Sequence, residues 1–191
     1  MNEVRRQQSN LLIEESKKLG FENSFQEVSP TTFKNFIDRF EKKYHEGWEK
    51  KYIKSGIDKL TVTIEDSSFI EHGRGLLLAL LDPTEKYFLG AHQSFLFEST
   101  VFEFLEIMNA CFEESDTSSP MDGFIIYHKK LEWFIKSTTV RSATQDDSVA
   151  LIGDEASITR AHQKVQGFSK VWTLPNTLSF EKNKTERDEL I

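Results

Sequence analysis

Two apolar, β-prone runs separated by a basic interruption constrain this chain more than any other feature. They are Phe124-Ile125-Ile126-Tyr127, then His128-Lys129-Lys130, then Leu131-Glu132-Trp133-Phe134-Ile135. Phenylalanine, isoleucine, tyrosine and tryptophan suit a pleated, buried surface, and the His-Lys-Lys stretch gives the backbone a solvated place to reverse. The pattern predicts a buried hairpin. A hairpin of this kind needs further strands beside it and helices over it.

Helices able to do the covering are legible. Ser29-Pro30 starts one: the serine oxygen can accept from a free N–H, and proline in the first turn forfeits no hydrogen bond. Behind it Phe33, Phe36, Ile37, Phe40, Tyr44 and Trp48 recur at helical spacing. Gly47 costs that helix about 1 kcal/mol relative to alanine, so a bend or break is expected there or before Tyr52-Ile53, with Gly56 the latest end. Thr100 and Glu103 have capping-box spacing ahead of Val101, Leu105, Met108 and Phe112. Residues 3–19 read as a further helix closed by Gly20. Asp154 caps a last one through Ile158, Ala161 and Val165, with Gly167 as its stop.

Strand signals fill much of the remainder. Lys59 to Glu65 alternates apolar and polar residues, as a strand with one buried face does. The uninterrupted Leu76 to Leu81 run suits a central strand covered on both sides, after a loop from Ser67 to Gly75 that holds His72-Gly73-Arg74-Gly75. Tyr87 to Leu89, Phe95 to Phe97 and Val149 to Ile152 are further strands, and Lys136 to Val140 prolongs the hairpin. Glu113 to Asp122 reads as a polar linker. The expected fold class is α+β: one domain over residues 1–175, an antiparallel-dominated sheet covered by two or more amphipathic helices, and a flexible polar tail, frayed helix or disorder, over 176–191.

Composition bounds the class. The chain has 191 residues and a single cysteine, Cys111, which cannot pair within the chain, so a reducing compartment is expected and the cytoplasm is the default. Its N-terminal residues are polar and no apolar run approaches the length of a bilayer span, so no membrane association is expected. Residues 61–135 carry 4 Lys/Arg against 13 Asp/Glu, whereas the flanking segments are close to neutral. An acidic middle disfavours nucleic acid and favours a basic partner; it also serves as a solvated face that keeps a phenylalanine-rich chain in solution.

No motif announces a reaction. The five histidines fall in no metal-binding spacing, no Gly-x-Ser-x-Gly elbow is present, and the His72 loop lacks the Gly-Lys-Ser/Thr of a phosphate loop. No metal or cofactor is therefore expected. A site assembled in space would draw on His72, His92 or His128 with Glu98, Asp122 or Glu132. Cys111 reads as a small apolar side chain of a helix.

Asp122-Gly123-Phe124-Ile125-Ile126-Tyr127 followed by Leu131-Glu132-Trp133-Phe134-Ile135 resembles a hairpin of small bacterial immunity-type proteins, which neutralise toxins of rival or sister cells. The resemblance covers residues 122–137 and brings no catalytic motif with it. It implies a non-enzymatic protein-binding module with an immunity or antitoxin role, and the acidic middle would meet a basic toxin. On that expectation the protein-binding residues are Glu65, Asp66, Glu71, Glu113 and Glu114 for their charge and Trp133 as an aromatic anchor. The alternative expectation is a small intracellular hydrolase-like enzyme, betrayed by a deep pocket in which a histidine and a carboxylate converge with perturbed pKa values, whereas a binding module predicts a shallow acidic patch and no such convergence.

Overall fold

In the computed structural model, which describes residues 3–46, 52–64, 69–91, 95–113, 124–139, 147–171, 178–185 and 188–189, the chain begins with α1 (Glu3–Lys18), β1 (Gln26–Glu27), α2 (Pro30–Tyr44), β2 (His45–Glu46) and β3 (Tyr52–Ile53). It continues through β4 (Asp58–Ile64), α3 (Phe69–Leu80), β5 (Lys86–Ala91), β6 (Phe95–Thr100) and α4 (Val101–Glu113). The expected hairpin follows as β7 (Phe124–Tyr127) and β8 (Trp133–Thr139), then β9 (Asp147–Gly153), α5 (Glu155–Val171), β10 (Leu178–Lys184) and β11 (Asp188–Glu189).

Eight strands form one sheet in the order β1-β6-β5-β7-β8-β9-β4-β10, and every pairing is antiparallel. The hairpin lies at its centre, with Ile126 opposite Ile135 and β9 and β5 on either side. Central strands are buried on both faces, which is why Phe124 to Tyr127 is apolar without alternation. The α+β expectation therefore holds.

Alternate residues serve two cores. Phe124, Ile126, Ile135, Val149 and Leu151 face a core completed by α1, α3, α4 and α5, and Cys111 is buried there. Ile125, Tyr127, Phe134 and Ile152 face α2, whose Phe36, Phe40 and Tyr44 meet them. The rings cross edge to face, with centroids 4.9 Å apart for Phe40 and Tyr127 and 5.0 Å for Phe40 and Phe134. That geometry suits the ring quadrupole. The small sheet β11-β3-β2 abuts the same side through Ile53.

The helix starts form as read. The Ser29 oxygen accepts from the Thr32 N–H at 3.3 Å. Thr100 and Glu103 exchange hydrogen bonds at 3.2 Å in both directions, and Asp154 accepts from the Ser157 N–H at 2.8 Å.

Four readings are corrected. Residues 69–80 form helix α3, where a loop and a central strand were expected. Leu76, Leu77 and Leu80 are buried between the sheet and its helical neighbours, with Leu78 and Ala79 half-buried, and a helix covered on so many sides shows little amphipathic contrast. Helix α2 ends at Tyr44, earlier than expected, and the chain turns into β2; Gly47 and Trp48 lie outside the described residues. Helix α5 continues through Gly167 to Val171, since one glycine costs a helix only about 1 kcal/mol. The expected flexible tail instead contains β10, paired with β4 from Leu178↔Ile64 to Lys184↔Asp58, and β11. The polar linker expected over 113–122 lies beyond the described residues except Glu113, which closes α4.

Candidate functional site

Strand register builds a row of residues across one end of the sheet. Phe88 pairs with Tyr127, so Tyr87 and His128 stand one step further along; the His128 N–H then bonds the Trp133 carbonyl at 3.2 Å, and Trp133 pairs with Gly153. Gly153 is required by close approach. A Cβ there would lie 2.5 Å from the Glu132 carbonyl oxygen and 2.6 Å from the Cβ of Trp133. The row continues through Asp58 on β4 to Lys184 on β10.

At the near end of this row is a cleft of about 220 Å³. Its aromatic wall is continuous: His128 stacks on Trp133 with centroids 5.3 Å apart and planes 27° apart, and Tyr87 meets Trp133 at 5.6 Å. His128 is buried between two carboxylates, its Nε2 at 3.5 Å from Glu85 Oε1 and its Nδ1 at 3.8 Å from Glu132 Oε2. These are ion-pair separations rather than hydrogen bonds, and Nδ1 has no hydrogen-bond partner among the described residues. The carboxylates themselves reach solvent, with 49% and 43% of their side chains exposed.

The connection between α3 and β5 supplies the polar floor. The Tyr87 hydroxyl accepts from the Asp82 N–H at 3.0 Å and lies 3.2 Å from Glu85 Oε2, to which it can donate. Burial, reinforced by the Glu85 and Asp82 charges against the Asp82 hydrogen bond, holds this phenol well above its ordinary pKa, so it remains a neutral donor. The Thr84 hydroxyl and N–H, with Lys164 adding its charge, hold the Asp82 carboxyl below the usual range. Helix α5 brings Ser157, Arg160 and Lys164 on one face at i, i+3 and i+7; Arg160 donates to the Ser157 hydroxyl at 3.0 Å and Lys164 to the Leu80 carbonyl at 2.9 Å.

A second hollow, of about 240 Å³, lies on the other side of Gly153. Most of its polar groups are committed. Asp58 pairs with Lys184 and lies 3.8 Å from Lys182, while Lys43 and Tyr44 both donate to the Leu131 carbonyl.

The sequence-predicted residues divide sharply. Trp133 is half-buried at the cleft, and Glu132 lies 3.8 Å from His128, a histidine–carboxylate approach that only the enzyme expectation included. Glu98 pairs with Lys129 instead. Glu71 falls in α3 and Glu113 closes α4, both with only the backbone described; Glu65, Asp66, Glu114, His92 and Asp122 lie outside the described residues. Glu85, Tyr87, Arg160 and Lys164 escaped the sequence reading, because strand register and helix packing bring them to the hairpin and no local pattern marks them.

Among the described residues no three histidine, cysteine, aspartate or glutamate side chains converge as a metal site would need, and no helix is long and apolar enough to cross a membrane. Compared with protein families, with curated proteins and with solved structures, the chain matches none of them.

Proposed function

We propose that this chain is a non-enzymatic protein-binding module, in its concrete form a bacterial immunity or antitoxin protein that neutralises a basic toxin in the cytoplasm. The observation that carries the reading is Trp133: half-exposed, held from behind by His128 and Tyr87, and flanked by the exposed carboxylates of Glu85 and Glu132. A large aromatic side chain fixed in advance loses little freedom on binding, and carboxylates around it favour a basic partner. Glu65, Asp66, Glu71, Glu113 and Glu114 belong to the same proposal by charge alone. Neither nucleic acid nor a membrane is a partner in this reading, and it calls on no cofactor.

The test is association with the toxin-like protein encoded by a neighbouring reading frame. The association rate is expected to fall as salt rises and on Glu85→Gln with Glu132→Gln, and Trp133→Ala to hasten dissociation at least about tenfold. An association rate indifferent to salt and to the carboxylate variants, with dissociation unchanged in Trp133→Ala, overturns it.

A second reading, a hydrolase-like enzyme, is favoured by one observation: His128 is positioned between Glu85 and Glu132 beside the neutral phenol of Tyr87, groups suited to moving a proton. Turnover of an ester, amide or phosphoester by the purified chain, abolished in His128→Asn, would establish it; equal turnover in that variant would exclude His128 from the chemistry.

A further inference from the structure

The cleft beside Trp133 is lined by charges of both signs, of which Lys164 acts on Asp82. Glu85 and Glu132 come from the α3–β5 turn and the hairpin, Arg160 and Lys164 from α5, and among the described residues no ion pair joins the two sets. Charges of both signs that line one cleft without an ion pair between these two sets favour a ligand that bears both. His128 supplies an independent indication. Its ring is nine-tenths buried, it lines the cleft, and its Nδ1 lacks a hydrogen-bond partner among the described residues.

We infer that the cleft binds a small zwitterion with a second cationic end, of the class of a basic α-amino acid. Arg160 and Lys164 take its carboxylate, and Glu85 and Glu132 take its cationic end against the Trp133 ring. The size agrees: about 220 Å³ falls short of the roughly 300–1,000 Å³ of drug-sized sites, which suits a single amino acid. The charge agrees as well. With Asp82 the cleft presents three carboxylates against two cations, so a ligand of net charge +1 leaves it balanced. This inference goes beyond the partner reading and needs no protein partner.

Calorimetry on the full chain tests it, with L-arginine and L-lysine as probes and agmatine, which keeps the guanidinium and lacks the carboxylate, as the comparison. Saturable one-to-one binding of an amino-acid probe is expected with Kd below about 1 mM, at least about tenfold tighter than agmatine. Arg160→Gln with Lys164→Gln should remove that preference while agmatine binding persists, and Glu85→Gln with Glu132→Gln should weaken both at least about tenfold. No saturable heat from wild-type chain with either amino acid, or agmatine bound as tightly, overturns the inference. Both outcomes read on unaltered protein, and neither bears on association with a toxin.

Discussion

The hydroxyl of Tyr44, on the last turn of α2, donates to the carbonyl of Leu131 at 2.6 Å, and Leu131 stands in the left-handed region at φ +60° in the hairpin turn. Glycine is the usual occupant of such a position, and any other residue pays roughly 1–2 kcal/mol. Leu131 is retained because its side chain is buried against α2 and its carbonyl also accepts from Lys43. Truncating it costs about 2–5 kcal/mol, but Leu131→Gly should be more stable than Leu131→Ala by about 1 kcal/mol, the reverse of the order at ordinary positions. Tyr44→Phe should cost about 1 kcal/mol. Urea melts of the three variants check these values.

Gly153→Ala probes the floor on which Trp133 rests. The added methyl would meet backbone and side-chain atoms at 2.5 to 2.6 Å, and overpacking of this kind costs roughly 1–3 kcal/mol. Destabilisation in that range, with a shifted tryptophan emission, is the expected result; a stability equal to wild type would show that the row across the sheet has slack.

Glu103 gives the acid limb of stability a named contributor. Burial works to raise its carboxyl pKa, but hydrogen bonds from Ser24, Ser99 and Thr100 together outweigh it and hold the group below its ordinary value of 4.5. A carboxyl depressed by folding contributes stability that is present above the unfolded value and lost as pH falls through the folded one. Glu103→Gln should therefore cost about 1 kcal/mol at pH 7 and flatten the pH dependence below about pH 5. Chemical denaturation between pH 3 and pH 7 measures both effects.

Ending the chain at residue 177 removes β10 and β11. It leaves β4 as a sheet edge and Asp58 buried without Lys182 and Lys184. A buried carboxylate without its lysines and an apolar sheet edge left open both disfavour the folded state, so the shortened chain should lose its cooperative melting transition or aggregate. A shortened chain that melts like the full one would show that β10 and β11 add little to the stability of the sheet.

The sequence revealed elements where a local pattern and a local environment coincide. The hairpin, the α2 stripe and the Thr100–Glu103 cap are of this kind, because the residues that define them also form the contacts. Leu76 to Leu81 misled because a continuous apolar run is shared by a buried strand and a helix surrounded by neighbours. Leu178 to Lys184 misled in the opposite sense: an edge strand needs few apolar side chains, and its lysines answer a charge on β4 more than a hundred positions earlier. The cleft shows the same division. His128, Glu132 and Trp133 lie within the hairpin and could be singled out, whereas Glu85 and Tyr87 arrive through the β5–β7 register and Arg160 and Lys164 through the packing of α5.

Leu60 pairs with Leu151 on one side, and Val62 with Phe180 on the other. Both neighbours of β4 thus come from the far end of the chain. A ribosome adding about 5–20 residues per second completes the first of them on the order of 5–20 s after β4 itself, and the second later still. During that interval two open edges of an apolar strand are available to any other nascent copy. Asp58-Lys59-Leu60-Thr61-Val62-Thr63 meets the hazard with charges at its start and a polar residue at every second place. The alternation that specifies a one-sided strand in the finished sheet therefore also guards the unfinished chain against pairing with its own kind.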